Sequence, residues 1–306
     1  MSFSIAIHGG AGTILKQQMS PAKEKEYLNV LQNALNIGIN ILKSGGDALD
    51  AVQETVVFLE NTPHFNAGKG SVFTNDGLHE MDASIMYGKN LKAGAVAAIR
   101  NVKNPIVLSR RVMDNSGFVL LVGRGAEEFA RVCGLDFEDN QYFYTDYRFQ
   151  QWQAIKEGTE AVVDHFEPKK FGTVGAVARD IRGNLAAATS TGGLTNKRYG
   201  RVGDTSVIGA GTYANNKTCA VSCTGYGESF IRSVVAYDVS ALMEYKKCTL
   251  NEACEIVVKQ KLVEIGGEGG LIAIDFLGNI EMPFNTQGMY RGSYSNATGE
   301  LNVSIY

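Results

Sequence analysis

KKFGTVGAVARDIRGNLAAATSTGG, residues 169–193, joins a polar connector to what reads as a core strand. Two lysines, an aromatic residue and a glycine lead into Thr173, where small apolar residues begin to alternate. TVGAVA, the turn signal DIRGN and then LAAATS predict a β-hairpin. LIAIDFLGNIEMPF (271–284) repeats that design with the same Gly-Asn turn. SVIGAGTY (206–213) and TCAVSC (218–223) predict a further strand pair, and LNVSIY (301–306) a closing strand. A Gly-Thr step at a strand entrance is unremarkable by itself, because the chain has others at 12, 158 and 211. The rest of the sequence decides whether Gly172-Thr173 is chemical.

Working outward, SIAIH (4–8) predicts a buried strand entering the glycine loop HGGAGT. Ser20-Pro21 predicts a helix start, and Leu28, Leu31, Leu35, Gly38 and Leu42 keep helical spacing up to Gly45-Gly46. A second helix begins near Asp47, with Leu49, Val52, Val56 and Leu59 on one face. Residues 61–77 read as loop, Met81–Met86 and Ala93–Ile99 as strands, and helical patterns resume between Pro105 and Cys133. From about 150 to 172 the composition suits a connector with some helix of its own. Gly227–Lys246 reads as helix, and Thr249 with Glu252 forms a capping-box signature for another, through about Glu264. Strands and helices thus come in blocks rather than in strict βαβ alternation. The blocks suit an α+β fold of antiparallel sheets covered by helices, for which a four-layer αββα sandwich is one layout.

Composition narrows the function. The 306 residues are 44% hydrophobic and 20% charged, with a formal charge of -3, so a large core is affordable and nucleic acid is not an expected partner. No stretch has the length and apolarity of a membrane span, and the N-terminus does not read as a signal peptide. A cytoplasmic location is the expectation. Cys133, Cys219, Cys223, Cys248 and Cys254 fit no zinc spacing and are expected to be buried or half-buried thiols.

A threonine at 173 has a specific chemical use. A hydroxyl is a poor nucleophile until a base removes its proton. Were the Gly172–Thr173 bond cut, Thr173 would carry a free α-amine, whose pKa of about 7.7–8.0 makes it a competent base near neutrality. One residue would then supply both nucleophile and base. The intact chain lacks that base, so activity requires the cut, and Thr173 could make it by attacking the Gly172 carbonyl. ATSTGG (188–193) and SCTGYGE (222–228) end strands in Thr-Gly, exposing N–H groups suited to an oxyanion. Arg201 and Asp204 in GRVGD place a cation and an anion in one glycine-bracketed loop, which suits a free amino acid. A dinucleotide-binding alternative for HGGAGT lacks the G-x-G-x-x-G spacing at a helix start.

Nine segments in order complete the reading: IHGGAG (7–12), GGDALDAV (45–52), FNAGKGSVFT (65–74), HEMDASIM (79–86), GTVGAVA (172–178), TSTGG (189–193), GRVGD (200–204), GAGTYAN (209–215) and CTGYGE (223–228). Together they resemble the isoaspartyl peptidase/L-asparaginase family of N-terminal-nucleophile hydrolases, nearly end to end. The resemblance implies one αββα domain over 1–306, self-cleaved into 1–172 and 173–306, which usually assembles as a dimer of such two-chain units. It implies hydrolysis of β-aspartyl dipeptides and of the L-asparagine side-chain amide through an ester on Thr173. N4-glycosylasparaginases and taspase-like hydrolases of the same fold are the alternatives. By position, Thr173 resembles the nucleophile, Thr191 the threonine that orients it, and Thr224 with Gly225 the oxyanion pair. Asn66 resembles the asparagine touching the α-amine. Arg201 resembles the α-carboxylate partner, and Asp204 with Gly227 the ammonium partners. Leu59, Glu60, Thr62, Phe65, Ala67 and Lys69 resemble a loop that holds a sodium ion on backbone carbonyls; no organic cofactor is expected.

Overall fold

The structure is a computed structural model that describes residues 2–158 and 172–306. In chain order the strands are β1 (Ser4–Gly12), β2 (Met81–Tyr87), β3 (Lys92–Ile99), β4 (Leu120–Val122), β5 (Val174–Arg179), β6 (Leu185–Thr191), β7 (Thr212–Ala214), β8 (Cys219–Gly225), β9 (Gly269–Asp275), β10 (Ile280–Glu281), β11 (Gly288–Ser295) and β12 (Glu300–Ser304). The helices are α1 (Pro21–Lys43), α2 (Ala48–Glu60), α3 (Pro105–Arg111), α4 (Gly123–Val132), α5 (Asn140–Phe143), α6 (Asp146–Lys156), α7 (Gly227–Ser233), α8 (Val235–Lys246) and α9 (Leu250–Glu255). A wide π-helical stretch, Ile256–Lys261, carries α9 on to Glu264.

Eight strands form one sheet in the order β12-β11-β1-β5-β6-β2-β3-β4, and four form a second in the order β10-β9-β8-β7. Only β3–β4 is parallel among these pairs. Three apolar seams hold four layers together. Leu31, Leu35, Leu42, Val52, Val56 and Leu59 of α1 and α2 pack on Ile5, Ile7, Ile85 and Ala188 of the large sheet. Val235, Val239, Val257 and Leu262 of α8 and the α9 segment pack on Val221, Cys223 and Leu271 of the small sheet. Between the sheets lie Ala6, Met86, Val177 and Ala187, facing Ala220, Ile272 and Ile274. The architecture is therefore an αββα sandwich, as the sequence led one to expect.

Local chemistry explains most element ends. The Ser20 hydroxyl accepts from Lys23 N–H, Asp47 caps α2 through Leu49 N–H, and Thr249 with Glu252 closes a capping box. Gly45, at φ +84°, turns the chain out of α1. The 173–190 hairpin pairs in register, Val174 opposite Ser190 and Arg179 opposite Leu185.

Four features differ from the sequence reading. SVIGAGTY contributes only Thr212–Ala214 as strand, because residues 203–211 are spent on turns. The helical stretch after Pro105 is interrupted by β4. Gly227–Lys246 is two helices, split at Val234, which takes a left-handed φ of +49°. β11 (GMYRGSYS) pairs with β1 across most of its length, although its pattern is a poor alternation. The connector from about 150 begins as α6, and its 159–171 portion lies outside the described residues.

Candidate active site

The period of two along a strand decides what each face of the hairpin does. On β6, Ser190 points to the helical layer and donates to the Glu60 carboxylate at 2.6 Å. Thr189 and Thr191 point the other way, toward the small sheet. On β8, Ser222 and Thr224 face the large sheet, while Val221 and Cys223 feed the helical core. Hydroxyls from two sheets therefore meet at one end of the sandwich.

Thr173, 6% exposed, sits one residue before β5 at that end. Its hydroxyl donates to Thr191 Oγ1 at 3.2 Å, and Thr191 Oγ1 donates to the Gly172 carbonyl at 3.0 Å. Gly193 N–H donates to the same Thr191 oxygen at 3.0 Å, fixing its position. Asn66 packs against Gly172 so closely that a Cβ there would lie 2.7 Å from Asn66 Cβ. The Asn66 amide donates to Gly193 carbonyl at 2.7 Å and accepts from Val72 N–H at 2.9 Å. Thr224 is fully buried, and its Oγ1 accepts from Ala11 N–H at 3.1 Å, which leaves its own proton to give.

The Thr173 carbonyl is gripped from behind by His8, whose Nδ1 donates to it at 2.9 Å. Ser222 meets His8 Nε2 at 2.9 Å, and the hydroxyl chain continues through Thr189 (2.7 Å), Thr212 (2.5 Å) and Ser84 (2.8 Å). Burial pushes the His8 pKa down to about 3, against the smaller opposing effect of the Thr173 bond. The ring is neutral at physiological pH. It carries its proton on Nδ1, since a carbonyl can only accept. Buried hydroxyls need partners, and this chain satisfies them across an otherwise apolar seam. Gly175 makes room for it: a Cβ would stand 2.0 Å from Ser222 Oγ and 2.4 Å from His8 Nε2.

Beside Thr173 lies a narrow cleft lined by Gly172, Thr191, Gly193, Leu194, Arg201, Gly203, Asp204, Thr205, Gly225 and Gly227. It encloses about 10 Å³ in the intact chain, room for one water and not for an amino acid. Gly172 forms one wall. Arg201 ion-pairs with Glu228, Nε to Oε1 at 3.0 Å and Nη2 to Oε2 at 2.8 Å. Asp204 is 5% exposed, and its Oδ2 has no hydrogen-bond partner. Burial raises the Asp204 pKa to about 7, opposed by its own backbone N–H and by Arg201. The Asp204 Oδ1 lies on the cleft side: a Cβ on Gly227 would stand 3.0 Å from it and 2.9 Å from Arg201 Nη2, so an anion and a cation flank one point, which suits a zwitterion.

Comparison with known proteins decides the affiliation. The asparaginase family model matches residues 1–303. The chain belongs to the asparaginase family. It is a hydrolase. It is 52% identical over 292 residues to the isoaspartyl peptidase of Escherichia coli K12, covering 94% of this chain and 91% of that one. It is 53% identical over 292 residues to the isoaspartyl peptidase of Salmonella typhimurium, covering 94% and 93%. The isoaspartyl peptidase/L-asparaginase of Xenopus laevis is 42% identical over 303 residues, covering 99% and 94%.

In this asparaginase-family chain the 59–69 loop closes α2 as a compact backbone turn. Gly68, at φ +51°, lies against the Glu60 carbonyl, where a Cβ would come within 2.3 Å; Gly70 lies against the Phe65 carbonyl, at 2.1 Å. The Leu59 carbonyl accepts from the Thr62 hydroxyl at 3.2 Å, and the Ala67 carbonyl from Gly70 N–H. Lys69 Nζ lies over the Tyr142 ring at 5.4 Å. Glu60 itself is fully buried, with its pKa raised to about 7 by burial against three hydrogen bonds, from Ser190, Asn104 and Ile106. Among the described residues no group of three or more His, Cys, Asp or Glu is placed to hold a metal. None of the described helices is long and apolar enough to cross a membrane. The five cysteines are free thiols, three buried and two half-buried.

All eight expected catalytic and substrate-binding residues fall at this end of the sandwich. The sequence reading passed over His8, Thr189, Ser222, Thr212 and Glu228. All five lie inside segments already singled out, but only the fold brings β1, β6, β7 and β8 together.

Proposed function

We propose that this family member cleaves its own Gly172–Thr173 bond and then hydrolyses β-aspartyl dipeptides and L-asparagine, with Thr173 as nucleophile. One observation carries the reading: the Thr191 hydroxyl receives the Thr173 hydroxyl and touches the Gly172 carbonyl at once. In the self-cleavage, Thr173 Oγ1 attacks the Gly172 carbonyl carbon and its proton passes to Thr191 Oγ1. The Thr191 proton goes to the carbonyl oxygen as negative charge develops there. The C–N bond then breaks as the C=O re-forms, the proton on that oxygen passes to the leaving nitrogen, and Gly172 becomes an ester on the Thr173 oxygen. Water hydrolyses that ester, leaving a Gly172 carboxylate and a Thr173 with free amine and hydroxyl.

The freed amine is the base for the second reaction. Departure of Gly172 also removes one wall of a cleft that is too small for substrate in the intact chain. Arg201 receives the α-carboxylate; Asp204 and the Gly227 backbone receive the α-ammonium. Thr173 Oγ1 attacks the side-chain carbonyl carbon, and Thr224 with Gly225 N–H meets the oxyanion. Asn66, held by two hydrogen bonds and packed against Gly172, is the partner we assign to the new amine. Ammonia or an amino acid leaves with the proton from the amine, and water cleaves the β-aspartyl ester. A zwitterion-binding pair favours a free amino acid end over an endopeptidase substrate.

The 59–69 loop suits a sodium ion in its donor chemistry, since neutral carbonyl oxygens are hard ligands. There the ion would fix the end of α2. The assembly is a dimer of two-chain units, which light scattering tests. The decisive experiment is N-terminal sequencing of purified protein together with hydrolysis of β-aspartyl-leucine, L-asparagine and glycosylated asparagine. A second N-terminus reading TVGAV and turnover of the first two substrates are expected. A chain that stays whole and still hydrolyses them would refute the proposal.

A further inference from the structure

We infer that Glu228 is a positioning residue that keeps the two poles of the substrate site apart, holding one edge of the Arg201 guanidinium so that the other edge serves the cleft. The inference rests on the reading of Arg201 as the α-carboxylate partner and extends it. A guanidinium carries five N–H donors arranged along two edges, each able to take a carboxylate. Glu228 occupies the Nε/Nη2 edge in a two-bond fork. Both N–H groups of Nη1 and the second one of Nη2 are left over.

The glycines around the guanidinium show where those donors face. A Cβ at Gly203 would stand 2.9 Å from Nη1, one at Gly193 3.4 Å from Nη1, and one at Gly227 2.9 Å from Nη2. Gly193, Gly203 and Gly227 all line the cleft that contains Thr173. Among the described residues Glu228 does not line it. The free edge thus points to the reacting end, and the carboxylate holds the arginine from outside.

Charge gives the clamp its purpose. Asp204, in the same cleft, sets its Oδ1 close to the guanidinium: a Cβ on Gly227 would lie 3.0 Å from that oxygen and 2.9 Å from Arg201 Nη2. An arginine is long and flexible, and an unclamped Arg201 would turn onto that oxygen. Cation and anion would then satisfy each other, and neither would be available to a zwitterion. Glu228 offers Arg201 a better-placed partner, and Asp204 stays open for the ammonium. Ordering the side chain beforehand also spares the substrate that entropy cost.

The test compares β-aspartyl-leucine with its α-carboxamide analogue, using cleaved wild type, Glu228→Gln and Glu228→Asp. For Glu228→Gln, KM for β-aspartyl-leucine should rise about tenfold with kcat changed less than about twofold. KM for the carboxamide should stay put, and Glu228→Asp should recover part of the loss. The two-fragment pattern on a gel checks that each variant has folded; should Glu228→Gln fail it, Glu228→Asp carries the comparison through its own KM ratio. Equal KM changes for both substrates, or none for either, would overturn the role of Glu228. Failure of the underlying reading looks different: wild type itself would not distinguish the two substrates.

Discussion

Thr191 donates its hydroxyl proton to the Gly172 carbonyl at 3.0 Å. That carbonyl is the one Thr173 would attack, so the bond lies where negative charge would develop. Thr191→Ala should slow the appearance of two fragments by about a hundredfold or more, the usual loss when one oxyanion donor is removed. Thr191→Ser keeps the hydroxyl and should stay much closer to wild type. A gel time course of freshly purified protein checks both.

Thr173 itself is the stricter case. Thr173→Ala should remain one chain and be inert on every β-aspartyl substrate, because it lacks the hydroxyl for both steps. Thr173→Ser should retain some of each. Mass spectrometry and an amide-hydrolysis assay on the same samples report the two steps separately, and a cleaved Thr173→Ala would place the nucleophile elsewhere.

Asp204 should give the enzyme an acid limb. Its pKa is raised to about 7, so below that pH the carboxyl is neutral and cannot pair with an ammonium group. KM for L-asparagine should therefore rise as pH falls through 7, by up to about tenfold per unit well below it. A substrate lacking the α-ammonium should show no such rise. The sign for stability is opposite to that of an ordinary salt-bridged carboxylate. The folded pKa exceeds the unfolded one, so the folded state binds more protons between about pH 4 and 7, and Asp204 costs stability as pH rises through that range. Asp204→Asn should flatten that decline in thermal melts.

Gly175 is bound up with the His8–Ser222 link. A Cβ there must displace that hydrogen bond, so Gly175→Ala should cost about 1–3 kcal/mol for the disrupted buried pair. Ser222→Ala removes one of the two clashing atoms. The double variant should accordingly lose less stability than the sum of the single losses, which denaturant melts of all three variants measure.

How much of this was legible in the sequence depended on the range of the interaction. The hairpin at 173–190, the caps at Ser20, Asp47 and Thr249, and the end of α1 at Gly45 are local, and local pattern revealed them. Strand β11 was missed because Gly288, Gly292 and four serine or tyrosine positions blur its alternation; its place is set by pairing with β1, nearly the whole chain away. SVIGAGTY was overread because glycine-rich turns between 203 and 211 look like small-residue strand. In the site, Thr173, Thr191, Arg201 and Asp204 stood out through chemistry and resemblance. His8 did not, since a histidine beside two glycines gives no hint that it meets Ser222, 214 positions on. Likewise, nothing in CTGYGE says that its last residue holds an arginine 27 positions earlier.

The strand order has one more outcome. In the large sheet β1 is flanked by β11 on one side and β5 on the other, while β6 borders β2. Residues before and after position 172 are thus interwoven through shared backbone ladders, and severing the peptide there would not set two pieces adrift. The halves would travel as one body through any native purification and come apart only in denaturant, so a gel-filtration peak of unchanged size is no sign of an uncut molecule.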